Sequence, residues 1–343
     1  VGLNNGDNTT IPSILASSYN AISVGNTNGS HSRGQTVSAI GIGTGSIDHD
    51  GPGRIKPDIV ANDNSTSSCT PQISSAVTFL LGTAKTKNEK NALLPEMMKA
   101  IIMAGASKKE FDNWSRNKEM PIDPVLGAGK INVQNSYHIL IAGEQEPGSV
   151  SKNYGWDFGF IDESNEVSYT IKLEEDVSEA SFSLNWNRTI QSAEWLDGNP
   201  YSESIPDMSL EIYRKEDNSL ILYDTSNSKV DNIEHLYFRG LRAGEYMVKI
   251  SSNTETDYGL AWRAETGKVS ETTIDADLDN EEFIFNFSQL VPGKTFILEK
   301  STDLKKWTSV HTFKAKKINE NFSDPINKSE PLFFYRLNWN PMD

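Results

Sequence analysis

Ser67 stands where a polar loop gives way to a helical pattern. Residues 53–71 read Gly-Arg-Ile-Lys-Pro-Asp-Ile-Val-Ala-Asn-Asp-Asn-Ser-Thr-Ser-Ser-Cys-Thr-Pro. Asp58-Ile-Val-Ala61 reads as a short buried strand, and after Pro71 the apolar residues recur at 73, 76, 77, 80, 81 and 84, the spacing of a helix face. A hydroxyl at such a boundary lies beside unpaired N–H groups and the positive end of the helix dipole. Those groups favour the negative charge that grows on a carbonyl oxygen under attack. Ser67 is therefore a candidate nucleophile whose own N–H can serve the oxyanion. The same residue types also cap helices, and Ser65, Thr66 or Ser67 would each fit that role.

The elements that must position this serine follow from periodicity. Ile22-Ser-Val-Gly25 is a second short strand, and helices are predicted over 71–84, over 94–104 with Pro95 in the first turn, and over 132–142. Strand and helix alternate, which predicts an α/β unit with a parallel sheet over residues 1–145. Turn residues at 143–149 mark a linker. From 150 to 266 the pattern has period two, as in Ser181-Phe-Ser-Leu-Asn-Trp186 and Tyr246-Met-Val-Lys-Ile250, which predicts a β-sandwich. An acidic stretch at 267–280 precedes a small β-domain over 281–343. The expected fold is multidomain, a partial α/β domain followed by two all-β domains.

Composition narrows the function classes. The formal net charge is −15, from 47 acidic and 32 basic residues, which argues against nucleic acid as a partner. Cys69 is the single cysteine, so no internal disulfide forms. No apolar run reaches the length of a membrane span. The chain opens on Val1 in what reads as the middle of a motif, and the expectation is that an N-terminal segment precedes it.

The stretch around Ser67 resembles the nucleophile segment of the subtilisin-like serine peptidases, Gly-Thr-Ser-x-Ala-x-Pro, here Ser65-Thr-Ser-Ser-Cys-Thr-Pro71. Gly53-Arg-Ile-Lys-Pro-Asp-Ile-Val-Ala61 is similar to the family's approach strand. Tyr19 to Gly25, Ser32-Arg-Gly34 and Gly127-Ala-Gly-Lys-Ile-Asn-Val133 resemble further family segments, all in the family's order. Gly2-Leu-Asn4-Asn5-Gly6 resembles the segment whose Asn donates its amide to the oxyanion. The resemblance assigns that role to Asn4, with Asn5 as the neighbouring alternative; taken alone, Asn-Asn-Gly reads as a turn. It implies a subtilisin-like α/β fold and an endopeptidase acting on protein or peptide substrates through an acyl-enzyme on Ser67.

This sequence departs from the family at Ser65 (for Gly), Cys69 (for Ala) and Gln72 (for His). The family's Asp and His lie upstream of the Asn segment, so the resemblance places both outside this chain, in the missing N-terminal half of the catalytic domain. The histidines His31, His49, His138, His235 and His311 all follow Asn4, and His31 reads as a loop or edge histidine rather than the base. Without its base a serine keeps its proton, and this chain alone is expected to be inactive.

Residues 150–266 resemble the pre-peptidase C-terminal domains that follow bacterial peptidases, on Leu241-Arg-Ala-Gly-Glu-Tyr-Met-Val-Lys-Ile250 above all. Residues 281–343 resemble small C-terminal β-modules of secreted proteins, on Leu298 to Trp307. Both imply a secreted or cell-surface bacterial protein. No cofactor is needed for the chemistry. The resemblance allows structural calcium, for which Asp207 and Asp224 are lone carboxylates on turns rather than a cluster. The competing reading is a non-catalytic adhesion or binding protein on a degenerate peptidase domain. A lipase-like hydrolase is disfavoured, since Gly-x-Ser-x-Gly does not surround Ser67.

Overall fold

The structure, a computed structural model, describes residues 1–2, 16, 18–31, 34–35, 55–162, 166–191, 202–217, 219–269, 272–279, 282–325 and 333–339. Strand β1 (Val24–Asn26) pairs in parallel with β4 (Ile59–Ala61), while β2 (Ser30–His31) and β3 (Gly34–Gln35) form a small antiparallel pair. Three helices follow: α1 (Thr66–Lys87), α2 (Pro95–Gly105) and α3 (Val133–Ile141). Helix α1 buries a narrow stripe of Thr66, Cys69, Ile73, Ala76, Leu80 and Ala84, and Lys85 and Lys87 complement its C-terminal dipole. Gly127 has φ +56, and a Cβ there would lie 2.5 Å from the Pro57 carbonyl oxygen, so only glycine lets this turn close on β4.

The sandwich has two sheets. One holds, in spatial order, β12 (Ser219–Ser226), β11 (Met208–Glu216), β14 (Gly244–Ser252), β7 (Glu166–Leu173) and β5 (Val150–Ser151). The other holds β13 (Ile233–Phe238), β8 (Val177–Asn185), β15 (Thr256–Thr266) and β6 (Tyr154–Ile161). A short pair, β9 (Thr189–Gln191) with β10 (Ser202–Ser204), stands beside them. Between the sheets lie Tyr169, Phe182, Leu184, Leu210, Ile212, Tyr246, Val248, Leu260 and Trp262. The C-terminal module pairs β16 (Thr273–Asp279), β17 (Glu282–Ser288) and β20 (Glu320–Pro325), and separately β19 (Thr308–Lys314), β18 (Thr295–Ser301) and β21 (Phe334–Trp339). Phe285, Phe287, Leu290, Phe296 and Leu298 form its core.

The expectation of a subtilisin-like α/β domain built on a parallel sheet is overturned. Among the described residues the fold is mostly antiparallel β with three α-helices. Among the described residues parallel pairing is limited to β1 with β4 over three residues, β5 with β7 over two, and isolated bridges such as Gly2 with Val24 and Val60 with Lys130. Alternation of strand and helix in a sequence does not state which surface the helices cover. Here α2 lies on the β13-β8-β15-β6 sheet, not on a parallel one: a Cβ at Gly259 of β15 would come within 2.8 Å of the Met97 Cα. Trp156, Ile233 and Ala261 of that sheet share one apolar cluster with Met97, Ile101, Ile102, Leu80 and Leu140. This sheet is therefore buried on both faces.

Inside the sandwich, the Tyr169 hydroxyl donates to Asp157, and the Tyr169 and Tyr258 hydroxyls lie 2.7 Å apart. Burial pushes the Asp157 carboxyl up to about 6, against the opposing Tyr169 hydrogen bond and with help from Glu144 and Glu146. A carboxyl that holds its proton more tightly when folded contributes stability below its unfolded value, near 4, and loses that contribution as pH rises through 6. His235, held neutral by burial, contributes the opposite slope, so the signature of Asp157 is a difference: between about pH 5 and pH 7.5 the melting midpoint of Asp157→Asn is expected to rise relative to wild type.

Candidate active site and its supports

Strand β4 is anchored by charge. Asp58 is wholly buried, and its carboxylate is met by Lys56 at 2.9 Å, Lys99 of α2 at 3.1 Å and the Ser23 N–H at 2.6 Å. Burial raises this carboxyl, but the two ammoniums and the amide outweigh it and hold it below the usual carboxylate range. The Asp58 carbonyl accepts from Ala128, and Val60 exchanges backbone bonds with Gly129 and Ile131, so β4 is held on both edges.

The chain leaves β4 through Asn62-Asp-Asn64 and enters α1. The buried Asn26 side chain donates to the Asp63 carbonyl, and Gln72 donates to the Asp63 carboxylate at 2.9 Å. The N-cap is Ser65, in extended backbone conformation, whose hydroxyl accepts from the Ser68 N–H at 3.2 Å. Capping is thus taken by Ser65, and the Ser67 side chain is exposed, in the first turn of α1. Neither its hydroxyl nor its N–H makes a hydrogen bond among the described residues. Thr66 is buried, and the Thr70 hydroxyl bonds back to the Thr66 carbonyl at 2.8 Å. Pro71 has no N–H to offer the Ser67 carbonyl.

Cys69 is buried, with its thiol toward the Ala61 carbonyl at 3.2 Å; burial and then Asp63 push the thiol up, as for an inert packing residue. Gly2 runs beside the same turn of α1, where a Cβ would lie 3.1 Å from the Thr70 hydroxyl. Asn4 and Asn5 lie outside the described residues, as does His49.

The remaining histidines sit elsewhere. The His31 backbone belongs to β2. His138 meets Tyr154 edge to face at 5.9 Å, and His311 stacks on Phe322 at 4.0 Å. His235 is wholly buried against Ser181 and is held neutral by burial, with Lys108, Arg116 and Arg263 adding to the shift. None of the three bonds to Ser67. Among the described residues no group of three or more His, Cys, Asp or Glu is placed to hold a metal, and no helix is long and apolar enough to cross a membrane. Asp207 accepts from Lys229 at 2.8 Å, and Asp224 is buried against Arg116.

Sequence reasoning missed Asn26 and the Lys56–Asp58–Lys99 cluster. The one available signal was the pair of charges in Lys56-Pro-Asp58, set immediately before an apolar strand.

The sequence matches no protein-family model and no curated protein sequence. Among solved structures, the chain is similar to tripeptidyl peptidase 2, with 11% identity and a TM-score of 0.28, over 88% of this chain and 35% of that one. It is also similar to the tandem CBM22 domains of Xyn10C from Paenibacillus barcinonensis, with 12% identity and a TM-score of 0.20, over 52% of this chain and 76% of that one. At such TM-scores neither likeness bears on fold or function.

Proposed function

We propose that this chain carries the nucleophile of a secreted serine endopeptidase related to the subtilisin-like family. In this reading Ser67 attacks a peptide carbonyl. Its own N–H and the side-chain amide of Asn4 hold the oxyanion, and an acyl-enzyme forms on the Ser67 oxygen. A base from outside the described residues takes the serine proton and gives it to the leaving amine as the peptide C–N bond breaks, and water then hydrolyses the Ser67 ester. The observation that supports the reading best is the division of labour in the first turn of α1: Ser65 caps the helix, while Ser67 keeps an exposed hydroxyl and an uncommitted N–H. The order of motif segments along the chain supports it independently. Protein or peptide substrates follow from that chemistry.

The test uses the protein expressed from its complete reading frame. Hydrolysis of a fluorogenic casein substrate is expected to fall by about 10⁴-fold or more in Ser67→Ala, with KM little changed where measurable. Undiminished hydrolysis in that variant removes Ser67 as nucleophile, and a wild type that cleaves nothing favours the non-catalytic adhesion reading.

A further inference from the structure

Three stretches far apart in sequence close around one cavity of about 410 Å³: the loop after α2 near Trp114 and Arg116, strands β12 and β13 of the sandwich, and the turn at 289–294 of the C-terminal module. Its walls are aromatic. Trp114 and Tyr237 meet edge to face at 5.3 Å, and Tyr223 and Phe238 pack at 5.5 Å. Three cationic side chains, Arg116, Arg239 and Lys294, line it together with one carboxylate, Asp224. Arg116 and Asp224 are buried and paired, and Lys294 reaches Asp224 at 3.6 Å.

Arg239 differs from these. It donates to the Phe111 carbonyl at 3.1 Å and lies 5.9 Å from the Tyr237 ring, and no carboxylate pairs with it among the described residues. Lys108 stands against the same two aromatic rings, 5.1 Å from Trp114 and 4.7 Å from Tyr237. On a chain of net charge −15 the lining is a local reversal of sign.

We propose that this cavity binds a small carboxylate carrying a flat apolar body. The body packs on the aromatic walls, where ring contacts add to area burial. The carboxylate pairs with Arg239, whose planar fork matches it. The volume falls in the range of small-molecule sites, which occur preferentially where separate units meet. Free arylalkanoic acids and the C-terminal aromatic residue of a peptide share this chemistry. Because the walls come from three parts of the chain, occupancy ties those parts together and raises the melting temperature. The site is independent of Ser67.

Calorimetric titration of the intact chain with 3-phenylpropionate and with its uncharged amide tests the proposal. The acid is expected to bind about tenfold or more tighter than the amide, the effect of one charge-assisted pair. Arg239→Gln is expected to abolish that preference, and Arg239→Lys to keep most of it. Tighter binding of N-acetyl-glycyl-phenylalanine than of 3-phenylpropionate identifies a peptide C-terminus as the ligand, and the reverse order identifies a free acid; either result supports the site. Equal affinity for acid and amide, no binding of either, or a preference that survives in Arg239→Gln overturns it. Should Arg239→Gln fail to fold, the acid–amide comparison on the wild type and Arg239→Lys still decides.

Discussion

Asp58→Asn is expected to destabilise the protein by about 3–5 kcal/mol, the range for removing one partner of a buried ion pair. The carboxylate is wholly buried and lies against two ammoniums, Lys56 and Lys99, both nearly as buried. Asparagine keeps the shape and can still accept from the Ser23 N–H, so the loss reports charge. What remains is two lysines facing each other with no carboxylate between them. The pH dependence carries the same signature. A carboxyl held below its usual range contributes stability that is complete above its unfolded value, near 4, and vanishes as pH falls through the folded value. Wild type should therefore lose stability in acid more steeply than Asp58→Asn. Urea titrations of both proteins across that range check the magnitude and the slope together. Equal midpoints at neutral pH would show that the cluster is dispensable.

Arg263→Met is expected to have a comparable effect by a different route. Arg263 lies wholly buried on β15 and forms an ion pair with Glu179 of β8. Its Nε donates to the Ala104 carbonyl at 2.9 Å and a terminal nitrogen donates to Ala106 at 3.2 Å. A sandwich residue thus caps the C-terminal end of α2, where carbonyls lack helical partners and the dipole favours a cation. Methionine matches much of the volume but strands the Glu179 carboxylate between the Tyr237 hydroxyl and Lys108, and leaves the Ala104 carbonyl without Arg263 and the Ala106 carbonyl with Lys108 alone, at 3.4 Å. A loss of about 3–5 kcal/mol follows, part of which Glu179→Gln should recover in the double variant. Hydrogen exchange gives the sharper readout. Amides of α2 and of β8 and β15 should open with one free energy in wild type, and both sets should weaken together in Arg263→Met. Weakening confined to the sandwich would contradict the coupling.

Much of this architecture was legible from residue spacing. The period-3.6 stripe ending at Ala84 announces α1, though the helix begins earlier, at Thr66, because Ser65 caps it. Pro95 marks the start of α2. The surface that α2 covers was not legible. Ser181, Ser183 and Asn185 alternate with Phe182 and Leu184 as if facing water, yet all are buried, because the polar face of β8 lies under α2 and the Lys108–Trp114 segment. Alternation distinguishes two faces of a strand; it does not say that the polar one is wet. The same ambiguity produced the expectation of a parallel sheet. At the candidate site, the position of Ser67 between β4 and the body of α1 was legible. Lys99 was not, because it reaches Asp58 from 41 positions away and sits in an otherwise apolar helix. Asn26 was hidden for a similar reason, as its partner at Asp63 lies across a loop.

Peptide mapping by mass spectrometry, after exposure of the protein from its complete reading frame to a fluorophosphonate, tests the role of Ser67 most directly. One phosphonyl adduct is expected, on the Ser67 oxygen and absent from the Ser67→Ala variant, with Ser65 and Ser68 unmodified. An adduct on any other serine, or an unmodified protein that still cleaves peptide bonds, would contradict it.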